Sequence, residues 1–301
     1  MKKIKAGDRY IGEDEPCFII AEAGVNHNGD INLARKLIDV AVEAGADAVK
    51  FQTFKAEEVV TKGAEKADYQ KKTTGLKESQ FEMLKRLELT GRDFEELFAY
   101  AQRKDIIFLS SPFDKGSVDL LDRLGVPAFK VGSGEITNFP LLKHIARKKK
   151  PIILSTGMST LGEVEEALEV IRKDGATDII LLHCVSSYPA KMEDMNLKVI
   201  ETLRHAFKLP VGLSDHSIGI AIPVAAVSLG ACVIEKHFTL DKNLPGPDHR
   251  ASLEQDELKQ MVKAIRDVEK AMGDGVKRPT KEEEENKKGS AAEYNCQGRY
   301  S

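Results

Sequence analysis

Eight short apolar runs, rich in β-branched residues, punctuate the chain: Cys17–Ala21, Ala48–Gln52, Ile106–Ser110, Ala128–Val131, Ile152–Ser155, Ile179–His183, Val211–Ser214 and Cys232–Lys236. Such runs fit strands covered on both faces, as in a parallel sheet. The segments between them carry the helical period. Leu33, Leu37, Val40 and Ala44 form one stripe, with Asp30 placed as an N-cap and Gly45 as a stop. Val164, Ala167, Leu168 and Ile171 form another that ends near Gly175. Leu258, Met261, Val262, Ile265, Val268 and Met272 form a last one, ending at Gly273. Eight strands alternating with helices predict an α/β chain folded as a (β/α)8 TIM barrel rather than an open sheet.

Composition narrows the function. Of the 301 residues, 45 are Lys or Arg and 48 are Asp or Glu, for a formal charge of -3. A nucleic-acid binder working through a broad basic face would carry a positive excess. No apolar run approaches the roughly 18 residues of a membrane span. The stretch Met1–Glu15 is charged throughout, and Cys17–Ala21 is too short for a signal-peptide core. The expectation is a cytoplasmic protein with no nucleic-acid or membrane partner. Cys17, Cys184 and Cys232 sit in apolar runs and read as small hydrophobes, whereas Cys296 lies in a polar tail. No Cys-x-x-Cys spacing occurs.

Residues 1–275 read as the barrel. One connection is long: about fifty residues separate Thr53 from Asp105. Its later part, Ser79–Leu89 and Phe94–Gln102, has a helical pattern. Its start, Lys55–Gly75, is polar and carries Tyr69 and Gln70. Because it leaves the second strand on the catalytic side, it reads as a lid. From 276 the composition changes. Lys277–Lys288 is almost wholly charged, and Gly289–Ser301 is small and polar. Residues 276–301 are expected to be a linker and irregular tail outside the core.

In a barrel of this type, chemistry belongs at the C-terminal ends of the strands. Each of the eight ends delivers a polar or ionisable group. In order they present Glu22 with Asn26 and His27; Lys50 and Gln52; Ser110, Ser111 and Asp114; Lys130 with Ser133 and Glu135; Ser155 and Thr156; His183 with Ser186, Ser187 and Tyr188; Ser214, Asp215 and His216; and Glu235, Lys236 and His237. By strand parity Lys50 and Gln52 share a face, as do Glu235 and His237. Lys50 and Lys130, with Ser133, Ser155, Ser214 and the backbone at Gly132 and Gly134, suit a phosphate: the lysines supply charge, and hydroxyl and N–H groups supply oriented donors. In an empty site Lys50 is free to pair with Glu22. His216 and His237 end neighbouring strands. Their spacing fits either a divalent metal with open positions or two unrelated imidazoles, and Glu235 is placed to orient a ligand. After the last strand, Leu244–Arg250 is a turn stiffened by Pro245, Gly246 and Pro247 that presents Asp248, His249 and Arg250 toward a substrate.

With these residues in view the chain resembles the N-acetylneuraminate (sialic acid) synthase family. The matching runs are Ala21–Gly29, Val49–Phe54, Phe129–Glu135, Ile153–Met158, Leu182–Pro189, Gly212–Ser217, Glu235–Thr239 and Pro245–Leu253, over about residues 5–285. The resemblance implies condensation of phosphoenolpyruvate with an N-acylated amino-sugar aldehyde, usually N-acetylmannosamine, to give a nine-carbon 2-keto acid and phosphate. It implies a divalent metal, Mn2+ or Mg2+, on residues matching His216 and His237. Glu22 matches an acid/base near the reacting carbons. Lys50, Gln52, Lys130, Ser133, Ser155 and Ser214 match substrate contacts around phosphoenolpyruvate, with Ser111 and Ser186 beside them. Tyr188 and Asp248 match the sugar side, and Gln70 stands where the family places an amide. Diacetamido sugars leading to legionaminic or pseudaminic acids differ from N-acetylmannosamine by groups that a few rim residues read.

Family members usually continue through a linker into a small antifreeze-like domain that reaches across a dimer and gives an arginine to the partner's sugar site. Here Pro279–Lys288 resembles the start of that linker, and Gly289–Ser301 does not resemble the domain. With chosen codons, 289 onward can be written so that deleting one base yields V-A-R-R-S-I-I-A-K-V-D-I, similar to the way the family enters the domain; this reading is a frameshift. On it, the barrel keeps metal and phosphoenolpyruvate, holds the sugar poorly, turns over weakly and forms a weakened homodimer. The other enzyme reading is a condensing enzyme for a sugar phosphate, for which Arg250 alone is little support.

Overall fold

The computed structural model describes residues 3–64, 66 and 78–287. Eight parallel strands form one sheet: β3 Phe18–Gly24, β4 Ala48–Thr53, β5 Ile107–Pro112, β6 Phe129–Val131, β7 Ile152–Ser155, β8 Ile179–Cys184, β9 Val211–Asp215 and β10 Val233–His237. Their order is β5-β4-β3-β10-β9-β8-β7-β6. The two ends, β5 and β6, lie side by side. This is the expected (β/α)8 barrel. The helices follow the predicted stripes. Asp30 caps helix Ile31–Ala44 through the Asn32 N–H, and Gly45 closes it in the left-handed conformation at φ 78°. Ser79, Thr90 and Thr160 each begin a helix with a reciprocal capping box to Glu82, Asp93 and Glu163.

Strand parity divides the core. Outward residues such as Ile19, Ala21, Val49, Phe108, Leu154, Leu181 and Ile234 pack under the helices. Inward residues Phe18, Ile20, Ala48, Leu109, Ala128, Ile153, Ile180, Leu182 and Val233 fill the interior. One element escaped the sequence reading. Residues taken as uniformly charged form a hairpin, β1 Ile4–Ala6 paired antiparallel with β2 Arg9–Ile11. Its inward side chains Ile4, Ala6 and Ile11 join the interior cluster and plug the N-terminal end. The period-2 pattern Ile4-Lys5-Ala6, followed by Gly7 and Asp8, was its signal.

The long connection begins with a short helix, Ala56–Val59, and ends in helices Gln80–Leu87 and Gly91–Arg103. Tyr69 and Gln70 lie outside the described residues. The chain divides into two units, Met1–Glu269 and Lys270–Ser301. In the second, residues 281–287 are helical, with reciprocal bonds between Thr280 and Glu283 at the start. Cys296 and the stretch 289–301 are outside the described residues. Among the described residues no helix is long and apolar enough to cross a membrane.

Candidate active site

At the C-terminal end the barrel interior turns from apolar to charged. Two residues beyond Ile20 comes Glu22, beyond Ala48 Lys50, beyond Leu109 Ser111, beyond Ala128 Lys130, beyond Ile153 Ser155, and beyond Val233 Glu235. All six are buried. Strand period 2 therefore carries these groups into the same interior that the apolar residues fill below them. Lys50 Nζ lies 2.8 Å from Glu22 Oε2, 3.0 Å from Ser111 Oγ and 3.6 Å from Glu235 Oε2. Lys130 Nζ donates to Ser155 Oγ at 2.8 Å and lies 3.4 Å from Glu235 Oε1. Ser214 Oγ donates to the same Glu235 oxygen at 2.8 Å. The pairing of Lys50 with Glu22 is the carboxylate contact that the sequence left open beside anion binding. Glu235 is the residue the sequence reading undervalued, because it bridges both lysines.

Burial and pairing pull these groups in different directions. Burial pushes the Glu22 carboxyl up to about 7, against the opposing pull of Lys50. Burial works equally against Glu235, but Lys130 and Lys50 overcome it and hold that carboxyl well below its usual range. For Lys50, burial opposes the ammonium charge, and Glu22 and Glu235 outweigh it, so its pKa is raised. For Lys130 burial prevails over Glu235, and its pKa is lowered. Two carboxyls in one pocket are thereby set apart, one ready to exchange a proton near neutrality and one fixed as an anion.

Beside the lysines a small cradle faces the mouth. The turn Ser133–Glu135 follows β6, and Ser133 Oγ accepts from Gly157 N at 3.0 Å. A Cβ on Gly157 would stand 2.4 Å from Ser186 Oγ and 2.8 Å from Ser133 Oγ. Only glycine lets these hydroxyls approach the backbone so closely. Gln52 projects from β4 next to Ser111 in register.

The two histidines stand two residues beyond Ser214 and Glu235 on β9 and β10. Their ring centroids are 5.6 Å apart, and the Tyr188 ring lies 4.0 Å from His216 and 5.6 Å from His237. A register irregularity in β3 between Glu22 and Gly24 brings the backbone against His237. Gly24 has φ 54°, and a Cβ there would sit 3.3 Å from His237 Cε1 and 3.4 Å from Glu22 Oε1. Asp248 is buried in the loop after β10, and burial pushes its carboxyl up to about 6 against His216. Several bonds fix that loop. Asn26 Nδ2 donates to Phe238 O and Ser252 Oγ, and Ser252 Oγ donates to Asp248 O. His249 joins Thr239 Oγ1 at 2.6 Å and Asn28 Oδ1 at 3.2 Å.

The imidazoles fit a divalent metal. His216 Nδ1 lies 2.8 Å from Val185 O, a group that only accepts, so Nδ1 carries a proton and the neutral ring has its lone pair on Nε2. Burial drives the His237 pKa well below its usual value, and its buried Nδ1 has no hydrogen-bond partner. Among the described residues no three His, Cys, Asp or Glu side chains converge as a metal cluster. The donor set is therefore two imidazoles, and substrate or water oxygens would fill the remaining positions.

Thirteen of the fourteen residues singled out in the sequence lie in the described barrel: Glu22, Lys50, Gln52, Ser111, Lys130, Ser133, Ser155, Ser186, Tyr188, Ser214, His216, His237 and Asp248. Gln70 falls outside the described residues. One expectation needs correction. His183 turns away from the interior and bonds Met195 O at 2.7 Å. Cys184 is a buried free thiol, as expected, and its Sγ lies 3.8 Å from His216 Nδ1.

The fold and this mouth define a (β/α)8-barrel enzyme whose mouth holds two buried lysines and two imidazoles. The model of the NeuB family matches residues 37–277, and the chain belongs to that family. It is 58% identical over 271 residues to the N,N'-diacetyllegionaminic acid synthase of Campylobacter jejuni, covering 89% of this chain and 81% of that protein. It is 42% identical over 270 residues to the mouse N-acetylneuraminate-9-phosphate synthase, covering 89% of this chain and 75% of that one. Among solved structures, the N-acetylneuraminic acid synthetase of Leptospira borgpetersenii in complex with citrate superposes with a TM-score of 0.83 at 37% identity. That match covers 100% of this chain and 98% of the other.

Proposed function

We propose that this chain condenses phosphoenolpyruvate with an N-acylated amino-sugar aldehyde, in the cytoplasm and with Mn2+ or Mg2+, releasing phosphate and a nine-carbon 2-keto acid. The observation that carries the reading is the pair of buried lysines, Lys50 and Lys130, facing one mouth with the hydroxyls of Ser111, Ser155 and Ser214. Buried ammonium groups are costly unless their charge is used, and a dianionic substrate uses both. In this reading C3 of phosphoenolpyruvate attacks the aldehyde carbon, and the aldehyde oxygen takes up a proton. Water adds at C2, the C2–O bond to phosphate breaks, and the 2-keto group forms. Lys50 and Lys130 hold the phosphate and carboxylate charge, with Ser133 and Gly157 N–H at the edge of the cradle. Glu22, set near neutrality, gives or takes the proton at the reacting carbons. Asp248 and Tyr188 orient the sugar hydroxyls. A divalent ion on His216 and His237 would supply Lewis-acid polarisation of the aldehyde oxygen.

Phosphate release from phosphoenolpyruvate with Mn2+, with and without sugar, tests this. Sugar-dependent release supports the synthase. No release with either sugar, alongside metal-dependent phosphoenolpyruvate binding by calorimetry, replaces it with a barrel that binds but does not turn over. The identity of 58% to a legionaminic acid synthase, against 42% to an N-acetylneuraminate-9-phosphate synthase, favours the diacetamido sugar leading to legionaminic acid over N-acetylmannosamine in phosphorylated or free form. Comparing kcat/KM for the two sugars decides between them.

A further inference from the structure

The outward face of the barrel wall behind the two histidines holds a charged pair where apolar residues are the rule. Along β9 and β10 the outward neighbours Leu213, Ile234 and Phe238 belong to the apolar layer under the helices. Lys236, 1% exposed, interrupts that layer. Its Nζ donates to Asp215 Oδ2 at 2.5 Å and to Ser217 O at 2.6 Å. Asp215 Oδ1 in turn accepts from Ser217 N at 2.9 Å. Asp215 and Lys236 are register partners across the β9–β10 ladder.

The sequence positions matter. Asp215 and Ser217 flank His216, and Lys236 immediately precedes His237. By strand parity each histidine points into the mouth while its charged neighbour points out. One ammonium group thus ties both sides of His216 to the strand end that carries His237. A buried ion pair is a poor source of stability: replacing one by apolar residues of similar volume is often neutral or stabilising. Its worth lies in geometry, since both partners must keep their hydrogen bonds to stay buried.

We propose that Lys236 and Asp215 are positioning residues that fix the spacing and orientation of the His216 and His237 imidazoles for a divalent ion. The inference rests on the proposed use of these histidines as metal ligands. The other contacts of the imidazoles lie on the mouth side: Val185 O, Cys184 Sγ and the Tyr188 ring meet His216, the same ring meets His237, and His237 Nδ1 has no hydrogen-bond partner, so the Asp215–Lys236 pair is what ties the two strand ends from behind. Loss of such supporting contacts typically weakens metal affinity ~10–100-fold.

The test measures Mn2+ binding to the metal-free protein by electron paramagnetic resonance of the unbound ion, together with thermal melts and no substrate. The double variant Lys236→Met with Asp215→Asn removes both charges at nearly unchanged volume. It is expected to melt within a few degrees of the parent and to bind Mn2+ at least tenfold more weakly. Mn2+ affinity within twofold of the parent would overturn the inference and leave the pair as wall packing. Asp215→Asn alone, which keeps the side-chain shape, carries the same criterion if the double variant does not fold. His216→Ala is measured alongside. If it binds Mn2+ like the parent, the metal-site reading fails and takes this inference with it. If it loses Mn2+ while the double variant does not, only the positioning role fails.

Discussion

The two ends of the barrel interior are built from the same strands and share one side-chain parity, yet they are opposites. Around the hairpin plug, Ile4, Ala6, Ile11, Phe18, Ile20, Leu109, Ile153, Ile180 and Val233 make a dry apolar floor. Two residues further along the strands, Glu22, Ser111, Ser155 and Glu235 make a charged and hydroxylic mouth, equally buried. One step of two residues, about 7 Å at strand rise, separates the regimes. The floor supplies apolar burial of about 25 cal/mol per Å2. The mouth spends stability, because each desolvated charge costs several kcal/mol that pairing only partly returns. Floor residues should therefore control folding and mouth residues chemistry.

Lys130→Met puts that division to its hardest trial. Removing a cation that faces a developing negative charge should lower sugar-dependent phosphate release about 1000-fold, while the melting temperature falls only modestly because Glu235 keeps Lys50 as a cation. A steep fall in melting temperature with activity preserved would invert the comparison. Ile180→Ala should do the reverse. Truncating a fully buried floor residue costs about 2–5 kcal/mol of unfolding free energy by urea titration, with kcat close to the parent's below the transition. Gly157→Ala is smaller. Its Cβ would crowd Ser186 and Ser133 Oγ, so KM for phosphoenolpyruvate should rise about tenfold with a lesser change in kcat, the split expected of a ground-state contact.

Much of this was legible because strand parity is local. Reading alternate residues was enough to place Lys50 with Gln52 and Glu235 with His237, and to bring the two lysines and the two histidines to the same end of the barrel. The hairpin plug was missed because three-residue strands with charged outward faces look like a solvated terminus until a partner surface is known. Glu235 was undervalued for a related reason: its reach to both Lys50 and Lys130 depends on barrel curvature, which no single strand reveals. The links that fix the Asp248 loop were also hidden. Asn28 to His249 and Asn26 to Ser252 join residues 221 and 226 positions apart, and each partner alone reads as an ordinary loop polar residue. His183 turns outward because a shift of one residue along a strand exchanges the inside for the outside.

The mouth and the loop beside it should also differ in how stability depends on pH, and this is the most discriminating effect. Burial raises Glu22 from 4.5 to about 7, so between those values the folded chain binds more protons than the unfolded chain. Stability from this group is then lost as pH rises through 7. His27 and His249 behave oppositely. Burial lowers both from 6.5 to about 4, so the unfolded chain binds more protons between 4 and 6.5, and stability falls as pH drops through that window. The parent therefore sums opposing slopes below about 6.5 and keeps only the Glu22 slope above it. Glu22→Gln separates them. Urea titrations from pH 5 to pH 8 should find the variant more stable than the parent at pH 8, with the gap closing toward pH 5, where Glu22 is already protonated in the folded state. A gap that stays constant across that range would mean Glu22 does not titrate near neutrality, and the mouth would lose its candidate proton carrier while keeping its anion pocket.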